Sequence, residues 1–276
     1  MKTLLILLFG VTLIYGTAFA QVINPQTKNK PLLTIETSGS FDLPVMDLSA
    51  GDGLRGIWAF QDYGAGIGFG SVLNFKFAVY QSKSLQLRTY ATFGYTHFVN
   101  DDSRAFKLYD NGGTVSYGFP YVRTYATVQS GAGVSNMRMN MPYLALGCEL
   151  GVYTDKKSRS SLNFGLDYNF NVITGRIYQT IPGESETYTT YKSNLRTGIG
   201  ANVSYSYKFH DYLGFHVGTR FTLPNLFGKA AEMTDESWYM YLLDKGNSSL
   251  NPNLSGNRSM GYFKFYGGLS LFFGKL

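Results

Sequence analysis

The sequence predicts an all-β protein: a transmembrane, antiparallel, up-and-down β-barrel of eight strands. Three observations predict it. Eight segments alternate between apolar residues and polar or small residues, which is the period of a β-strand. The links between these segments are alternately short and long. The 276-residue chain has 32 Gly, 22 Tyr and 21 Phe but only 15% charged residues, a composition unlike that of a disordered chain.

The first twenty residues are typical of a secretory signal peptide and not of a membrane anchor helix. Lys2 supplies a positive start, Leu4–Tyr15 is apolar but short, and an A-x-A cleavage site ends at Ala20. The mature chain has one cysteine, Cys148, so sheet closure and packing must stabilise it instead of an internal disulfide. The predicted parts are a signal peptide (1–20), a periplasmic N-terminal tail (21–31) and an outer-membrane β-barrel domain (32–276).

The first four predicted strands place their apolar residues on one face. In the second of them Phe69, Phe75 and Phe77 alternate with a set that includes Asn74 and Lys76, and the alternation is too long to be accidental. The other three follow the same rule. The four segments are Leu33–Leu43, Gly64–Tyr80, Leu85–Val99 and Tyr143–Thr154.

The last four predicted strands repeat this arrangement. In the C-terminal one Phe263, Phe265 and Leu271 lie on one parity, and Lys264 and Ser270 lie on the other. No segment of the mature chain is apolar enough for a membrane helix, so a membrane would have to be crossed by strands. The four segments are Arg159–Val172, Leu195–Phe209, Leu213–Leu223 and Met260–Leu276.

The connections predict the orientation. Three are tight turns, at Gln81–Ser84, Asp155–Ser158 and His210–Tyr212. The other four are long, near 44–63, 100–142, 173–194 and 224–259. Short turns at one end and long links at the other predict short periplasmic turns and four long extracellular loops, with both termini on the periplasmic side.

A secreted lipocalin-like barrel or a sandwich is the soluble alternative, with an apolar interior. Against it, the apolar faces are nearly free of charge, as lipid contact requires, and aromatic residues gather near strand ends as in interfacial girdles. The mixed faces carry charges that can pair across a narrow polar interior: Glu36, Lys76, Arg88, Glu149, Asp167, Arg196, Lys208, Arg220 and Lys264. These features favour the membrane barrel.

The chain resembles the small outer-membrane β-barrel proteins of the OmpA-transmembrane, OmpX and OmpW type. The signal peptide, the eight alternating strands, the loop pattern and an aromatic final strand carry the resemblance, which covers nearly all of 21–276. Its Gly-rich and Tyr-rich style is similar to that of Bacteroidota-like barrels. The resemblance implies a location in the outer membrane of a Gram-negative cell. One departure is that Phe273 is followed by three further residues, whereas many such barrels end on an aromatic residue. The final-strand residues are Phe265, Leu269, Leu271, Phe272 and Phe273.

Six charged residues are the candidate luminal network. Eight strands enclose a space just wide enough for side chains, so a filled barrel is the default. Four of the six should lie in the periplasmic half on successive strands and alternate in sign. We interpret the set as a polar plug in preference to a transport path, because buried charges need partners whatever the function. The six are Glu36, Lys76, Arg88, Glu149, Asp167 and Arg220.

Several glycines should point inward near the outer end, where they either ease strand coiling or leave a vestibule. We hypothesise that loop aromatics fold over or into that vestibule. An upper lumen filled by Tyr90, Tyr143, Tyr262 and Tyr266 would remove the cavity. The glycines are Gly66, Gly68, Gly70, Gly94, Gly198 and Gly200, and the loop aromatics are Trp58, Trp238, Tyr239 and Tyr241.

The sequence predicts no enzyme and no cofactor. Among the histidines only His97 is placed near the outer rim, and it has no recognisable Ser or Asp partner. The glycine run that begins at Gly64 lies inside a strand, so it is not a phosphate loop, and metal-ligand spacing is absent.

Two functions are therefore compatible with the sequence. The first is a structural or surface-interaction scaffold that displays extracellular loops. The second is passive passage or binding of a small or apolar solute, and membership of a larger export or motility assembly is a further alternative. The expected partners are outer-membrane lipids, whose anionic headgroups suit the basic turns, and extracellular or outer-membrane proteins. Nucleic acid is not expected, and the barrel should be monomeric outside such an assembly.

Overall fold

A computed structural model describes the eight predicted strands and parts of the links between them. The described residues are 30–49, 65–99, 106–108, 115–119, 122–126, 133–180, 187–230, 242, 244–245 and 257–275. The predicted signal peptide and most of the predicted periplasmic tail lie outside these ranges, so the domain boundaries remain predictions.

Eleven strands are present in the described part of the chain. Eight of them form a closed antiparallel barrel in the order β1, β2, β3, β7, β8, β9, β10 and β11, and β11 pairs again with β1. The strands are β1 (Pro31–Met46), β2 (Gly68–Gln81), β3 (Leu85–Val99), β4 (Phe106–Leu108), β5 (Val115–Phe119), β6 (Val122–Ala126), β7 (Gly133–Tyr153), β8 (Ser160–Thr180), β9 (Thr187–Lys208), β10 (Leu213–Phe227) and β11 (Met260–Lys275).

All eight predicted strands are present, and β3 has the predicted bounds. Three of the others, β7, β8 and β9, extend well beyond prediction at the outer end. As a result only 181–186 separate β8 from β9, and the predicted long loop at 173–194 is wrong. The alternation of apolar and polar residues marks the part of a strand that meets lipid, so the polar continuation of these strands carried no such signal.

Three short strands were not predicted. β4 pairs with the outer end of β7, and β5 pairs with β6 as a separate hairpin. All three lie in the link between β3 and β7. That predicted extracellular loop therefore carries sheet structure of its own.

Burial in the barrel wall is the reverse of that in a soluble protein. Outward apolar side chains are the exposed ones, with Phe69 65% and Leu166 70% exposed. Inward polar side chains are buried: Lys264 and His216 are 0% exposed, and Glu36 is 1% exposed. This pattern excludes the lipocalin-like barrel and the sandwich, because a soluble barrel would expose its polar face. The described residues contain no helix that is long and apolar enough to cross a membrane.

A charge on the outward wall should destabilise the barrel. Leu166 lies in the periplasmic half of β8, within its apolar part and with its side chain facing lipid, so Leu166→Arg should cost about 2–4 kcal/mol of unfolding free energy. Denaturant unfolding of the protein in lipid vesicles measures this cost. Leu166→Ala is the control for loss of the side chain alone, and equal effects of the two substitutions would contradict a lipid-facing position.

Candidate functional site

Four of the predicted luminal charges form one ion network, which we call the lower network: Glu36, Lys76, Arg88 and Glu149. Lys76 Nζ lies 2.9 Å from Glu36 Oε2 and 2.8 Å from Glu149 Oε2. Arg88 Nη2 lies 2.8 Å from Glu149 Oε1. None of the four residues is more than 3% exposed.

The strand register explains why these four side chains meet. β1, β2, β3 and β7 are consecutive in the barrel, and each contributes one inward residue at a similar height. Arg88 and Glu149 are direct cross-strand partners. Asn74 on β2 lies directly opposite Glu36 and donates a 3.2 Å hydrogen bond to the Glu36 carboxylate. Lys76 is two residues further along β2 and reaches both carboxylates.

The lower network is electrically balanced, with two cations and two carboxylates. Removing such groups from water costs several kcal/mol per ion, and only close opposite charges and hydrogen bonds offset that cost. Neutral side chains supply further hydrogen bonds. The guanidinium of Arg88 donates to Asn163, and Thr92 donates to Asn74 at 2.6 Å. The arrangement is a compact polar plug at the periplasmic half of the lumen.

The other two predicted charges, Asp167 on β8 and Arg220 on β10, form a separate pair on the luminal side of β9. Arg220 Nη2 lies 2.6 Å from Asp167 Oδ1. The hydroxyl of Tyr90 donates to Asp167 Oδ2 at 2.9 Å, and it accepts from Asn202 at 2.9 Å. The six predicted residues are thus two neighbouring groups instead of one network.

A third ion pair, between Lys264 and Asp42, lies nearer the outer end. Lys264 Nζ is 2.9 Å from Asp42 Oδ2 and also donates to Ser40 at 3.0 Å and to Thr96 at 2.9 Å. The prediction did not include Asp42 as a partner. Asp42 is six residues after Glu36 in the same strand, so the alternation places both side chains in the lumen. This signal could have identified Asp42 as luminal.

The outer end of the lumen is closed by apolar side chains, which we call the outer apolar cluster. Its members are each 4% exposed or less. Phe98 and Tyr262 meet edge to face with ring centroids 5.6 Å apart. Three members come from the links at the outer mouth and six from strands. They are Leu48, Ala65, Phe98, Met139, Met141, Ile173, Leu242, Met260 and Tyr262.

The predicted vestibule is not present at the inward glycines that the structure describes in detail, because rings and other side chains occupy the space. A Cβ at Gly68 would lie 2.6 Å from the ring of Phe98, and one at Gly94 would collide with Tyr143. Tyr90, Tyr143 and Tyr262 are all buried. An interior cavity of about 20 Å³, partly lined by Tyr143 and Tyr266, has room for about one water molecule.

The predicted loop aromatics Trp58, Trp238, Tyr239 and Tyr241 lie outside the described residues. Other residues of the β10–β11 link do reach the outer mouth. Leu242 belongs to the outer apolar cluster, and Asp244 is fully buried beside it.

Asp244 is held by a set of contacts that we call the outer latch: Arg196, Asn225 and Asp244. Arg196 binds the carboxylate of Asp244 through two nitrogens, both at 2.9 Å, and donates to the carbonyl of Leu242 at 2.8 Å. Asn225 donates to Asp244 at 3.0 Å. The backbone N–H of Ala230 donates to Asp244 at 2.9 Å. A bidentate arginine–carboxylate pair is strong and directional, so it fixes this part of the link across the barrel mouth.

At the periplasmic end, the side chain of Lys30, the residue directly before β1, reaches the β2–β3 turn and β7. Its ammonium donates to the carbonyl of Ser82 and lies 4.2 Å from the centre of the Tyr153 ring. Gln86 donates to the carbonyl of Pro31 at 2.7 Å. Burial lowers the pKa of Lys30 to about 8. These contacts connect the start of β1 to the β2–β3 turn, to β3 and to β7.

His97 and His216 each have a polar side chain within hydrogen-bond distance. On the outward wall, His97 Nδ1 lies 2.7 Å from Asn140 Oδ1, which also accepts from Tyr95 at 2.5 Å. In the lower lumen, His216 Nδ1 lies 2.9 Å from Ser270 Oγ. Within the described ranges no three His, Cys, Asp or Glu side chains come together as a metal site.

No protein-family model matches the chain, and no curated protein matches it. Among solved structures it is similar to OprG of Pseudomonas aeruginosa, at 10% identity and a TM-score of 0.43 over 91% of this chain and 100% of that chain. Neisserial surface protein A is similar at 10% identity and a TM-score of 0.38, over 87% of this chain and 97% of that chain. The outer-membrane protease OmpT of Escherichia coli is similar at 11% identity and a TM-score of 0.34, over 87% of this chain and 96% of that chain.

These identities and TM-scores are too low to carry an argument about function, and the fold assignment rests on the barrel itself. Eight antiparallel strands close completely, and their apolar side chains face outward. The fold is that of a small bacterial outer-membrane β-barrel. The chain is accordingly an integral outer-membrane protein. The similarity to Bacteroidota barrels remains a prediction.

Removing one charge of the lower network should strongly destabilise the barrel. Glu149→Gln leaves Lys76 and Arg88 sharing a single buried carboxylate, so the unfolding free energy should fall by about 3–5 kcal/mol. Denaturant titration followed by gel mobility of unheated samples measures it. Arg88→Met combined with Glu149→Gln restores charge balance and should recover much of the loss. A double variant as unstable as the sum of both singles would argue against a coupled network.

Loosening the outer latch should free the link without unfolding the barrel. Asp244→Asn weakens both arginine contacts, and loss of such charged hydrogen bonds costs about 1–3 kcal/mol. Trypsin cleavage after the exposed Lys245 should therefore accelerate roughly tenfold. Asp155→Asn, the same substitution in a periplasmic turn, is the control and should leave cleavage at Lys245 unchanged. Equal cleavage rates in all three proteins would mean that the latch does not hold the link.

Proposed function

We propose that this protein is a closed outer-membrane scaffold whose long extracellular links make contacts at the cell surface. It is neither a channel nor an enzyme under this proposal. The observation that carries the proposal is the outer apolar cluster, which fills the barrel mouth where a solute would enter.

The rest of the lumen supports the same function. Below the outer apolar cluster lie the Lys264–Asp42 and Arg220–Asp167 pairs, whose cations are direct cross-strand partners on β11 and β10, and the lower network lies further toward the periplasm. A solute moving through would have to separate several buried ion pairs, each of which is costly to break. The interior cavity beside these pairs, lined in part by Lys76, Arg220 and Lys264, has room for about one water molecule.

Passage through the side of the barrel has no support either. The backbone ladder between β1 and β11 runs from Leu33 to Met46 without a gap, and the other seams of the barrel are also paired. Opening a seam in lipid would expose unpaired backbone groups, each at a cost of several kcal/mol. The paired seams therefore make the barrel rigid.

A rigid barrel is an effective base for surface contacts. β7, β8 and β9 extend beyond the predicted strands at the outer end, and the β3–β7 link contains the β5–β6 hairpin. Loops on a rigid scaffold commonly carry binding residues. The outer latch holds the β10–β11 link close to the barrel, which reduces the entropy lost when a partner binds.

Conductance in planar bilayers tests the closed barrel. The purified protein should give no channel events. A variant with Phe98→Ala, Tyr143→Ala and Tyr262→Ala removes three rings from the outer lumen and serves as the positive control for opening. Regular conductance steps of the unmodified protein that change with Lys76→Gln would overturn the proposal in favour of solute passage.

Adhesion of cells that carry the protein tests the surface role. Cells with the full protein should adhere to fibronectin-coated or collagen-coated surfaces better than cells whose residues 231–240 and 246–256 are replaced by short glycine-serine linkers. The variant keeps Leu242 and Asp244, so the outer mouth stays closed. If both strains adhered equally well to coated surfaces, and no better than to uncoated ones, the support for a surface-contact function of this link would be removed.

A further inference from the structure

The periplasmic rim of the barrel carries a patch of cations in an otherwise weakly charged protein. The side chains of Lys83, Lys156, Lys157 and Arg159 are exposed. They lie in the β2–β3 turn and the β7–β8 turn. Among the residues that the structure describes, these four side chains make no hydrogen bond or ion pair with another residue. They are therefore available to a ligand.

Backbone hydrogen bonds join the turns into one continuous arc. Tyr153 N donates to Ser84 O at 2.8 Å, which connects the β7–β8 turn to the β2–β3 turn. Lys208 N donates to Arg159 O at 2.7 Å, which connects it to the end of β9. The cations are thus presented on a fixed edge, and their positions relative to one another are set by the barrel.

The acidic residue within the patch does not neutralise it. Asp155 accepts hydrogen bonds from the backbone N–H groups of Arg159, at 2.7 Å, and Ser160, at 2.9 Å. Burial raises the pKa of Asp155, but these backbone hydrogen bonds outweigh burial and hold the pKa below its ordinary value. Its carboxylate is turned into the hairpin, and Lys156, Lys157 and Arg159 remain outside.

The same rim is lined by exposed aromatic side chains that mark the membrane boundary. Tyr80 is 43% exposed, Phe209 49%, Tyr212 59% and Phe273 43%. Aromatic rings of this kind sit at the level of lipid headgroups. Lysine and arginine side chains beside them are long enough to extend along the interface to that level. The cations therefore lie next to headgroups and not in open solution.

We propose that Lys156, Lys157 and Arg159, with Lys83 beside them, bind the phosphate headgroups of anionic phospholipids in the periplasmic leaflet. Each basic residue near an anionic surface contributes about fivefold to binding. Three in one turn give a preference for anionic over zwitterionic lipid of at least about tenfold. This inference does not depend on the outer loops or on whether the barrel conducts.

The test uses the full protein in neutral detergent and native mass spectrometry with added lipid. Phosphatidylglycerol and phosphatidylcholine with identical acyl chains are the probes, and the ratio of their dissociation constants is the readout. The unmodified protein should favour phosphatidylglycerol about tenfold or more. The triple variant K156Q/K157Q/R159Q should lose most of that preference, and Lys83→Gln should reduce it less.

Two controls separate headgroup binding from other causes. The triple variant K156R/K157R/R159K keeps the charge and should keep the preference. All variants retain Asp155, so the turn is preserved, and unheated gel mobility checks that each barrel is folded. An unchanged lipid preference in K156Q/K157Q/R159Q would overturn the proposal. Displacement of phosphatidylglycerol from the unmodified protein by soluble polyglutamate at equal charge would also overturn it, since the patch would then bind acidic polymers.

Discussion

The structure depends on the requirement that every backbone N–H and C=O within lipid has a hydrogen-bond partner in the protein. Strands satisfy this requirement only when the sheet closes, which it does here through the pairing of β1 with β11 and of β3 with β7. Closure with eight strands leaves a lumen only as wide as the side chains that fill it. Everything placed inside must then be packed and, if charged, paired. The filled lumen follows from the strand number before any function is considered.

Parity and pairing specify different aspects of the fold. Alternation decides which face of a strand meets lipid, but a slip of two residues would leave every face unchanged. The ion pairs remove that ambiguity. Arg88 stands directly opposite Glu149 in the present register, and a two-residue slip would separate them by about 7 Å in the low-dielectric lumen. The buried charges are thus the part of the sequence that selects one register among those that alternation permits.

The sequence predicted the barrel well because lipid contact leaves a strong periodic signal. Where that contact ends, the signal also ends, so β8 and β9 were predicted too short at their outer ends. The lower network could be predicted, since Glu36, Lys76, Arg88 and Glu149 each lie on the polar face of their own strand and at a similar height. The outer apolar cluster could not, because Phe98 and Met141 differ from lipid-facing residues only in parity. The role of Asp244 could not be predicted either, because it lies in a long link and no periodic pattern in the sequence indicates the path of that link across the barrel mouth.

The two ends of the lumen are closed by different physical means, and the difference bears on how the barrel can respond to its surroundings. At the outer end, apolar packing around Tyr262 excludes water over a range of salt and pH, because it involves little charge. At the periplasmic half, the lower network is held by charges that only protonation or loss of a partner would unbalance. The outer latch combines the two, since Arg196 and Asp244 form an ion pair directly beside Leu242. The end of the lumen that faces changing external conditions is therefore sealed mainly by the interaction that is less sensitive to salt and pH.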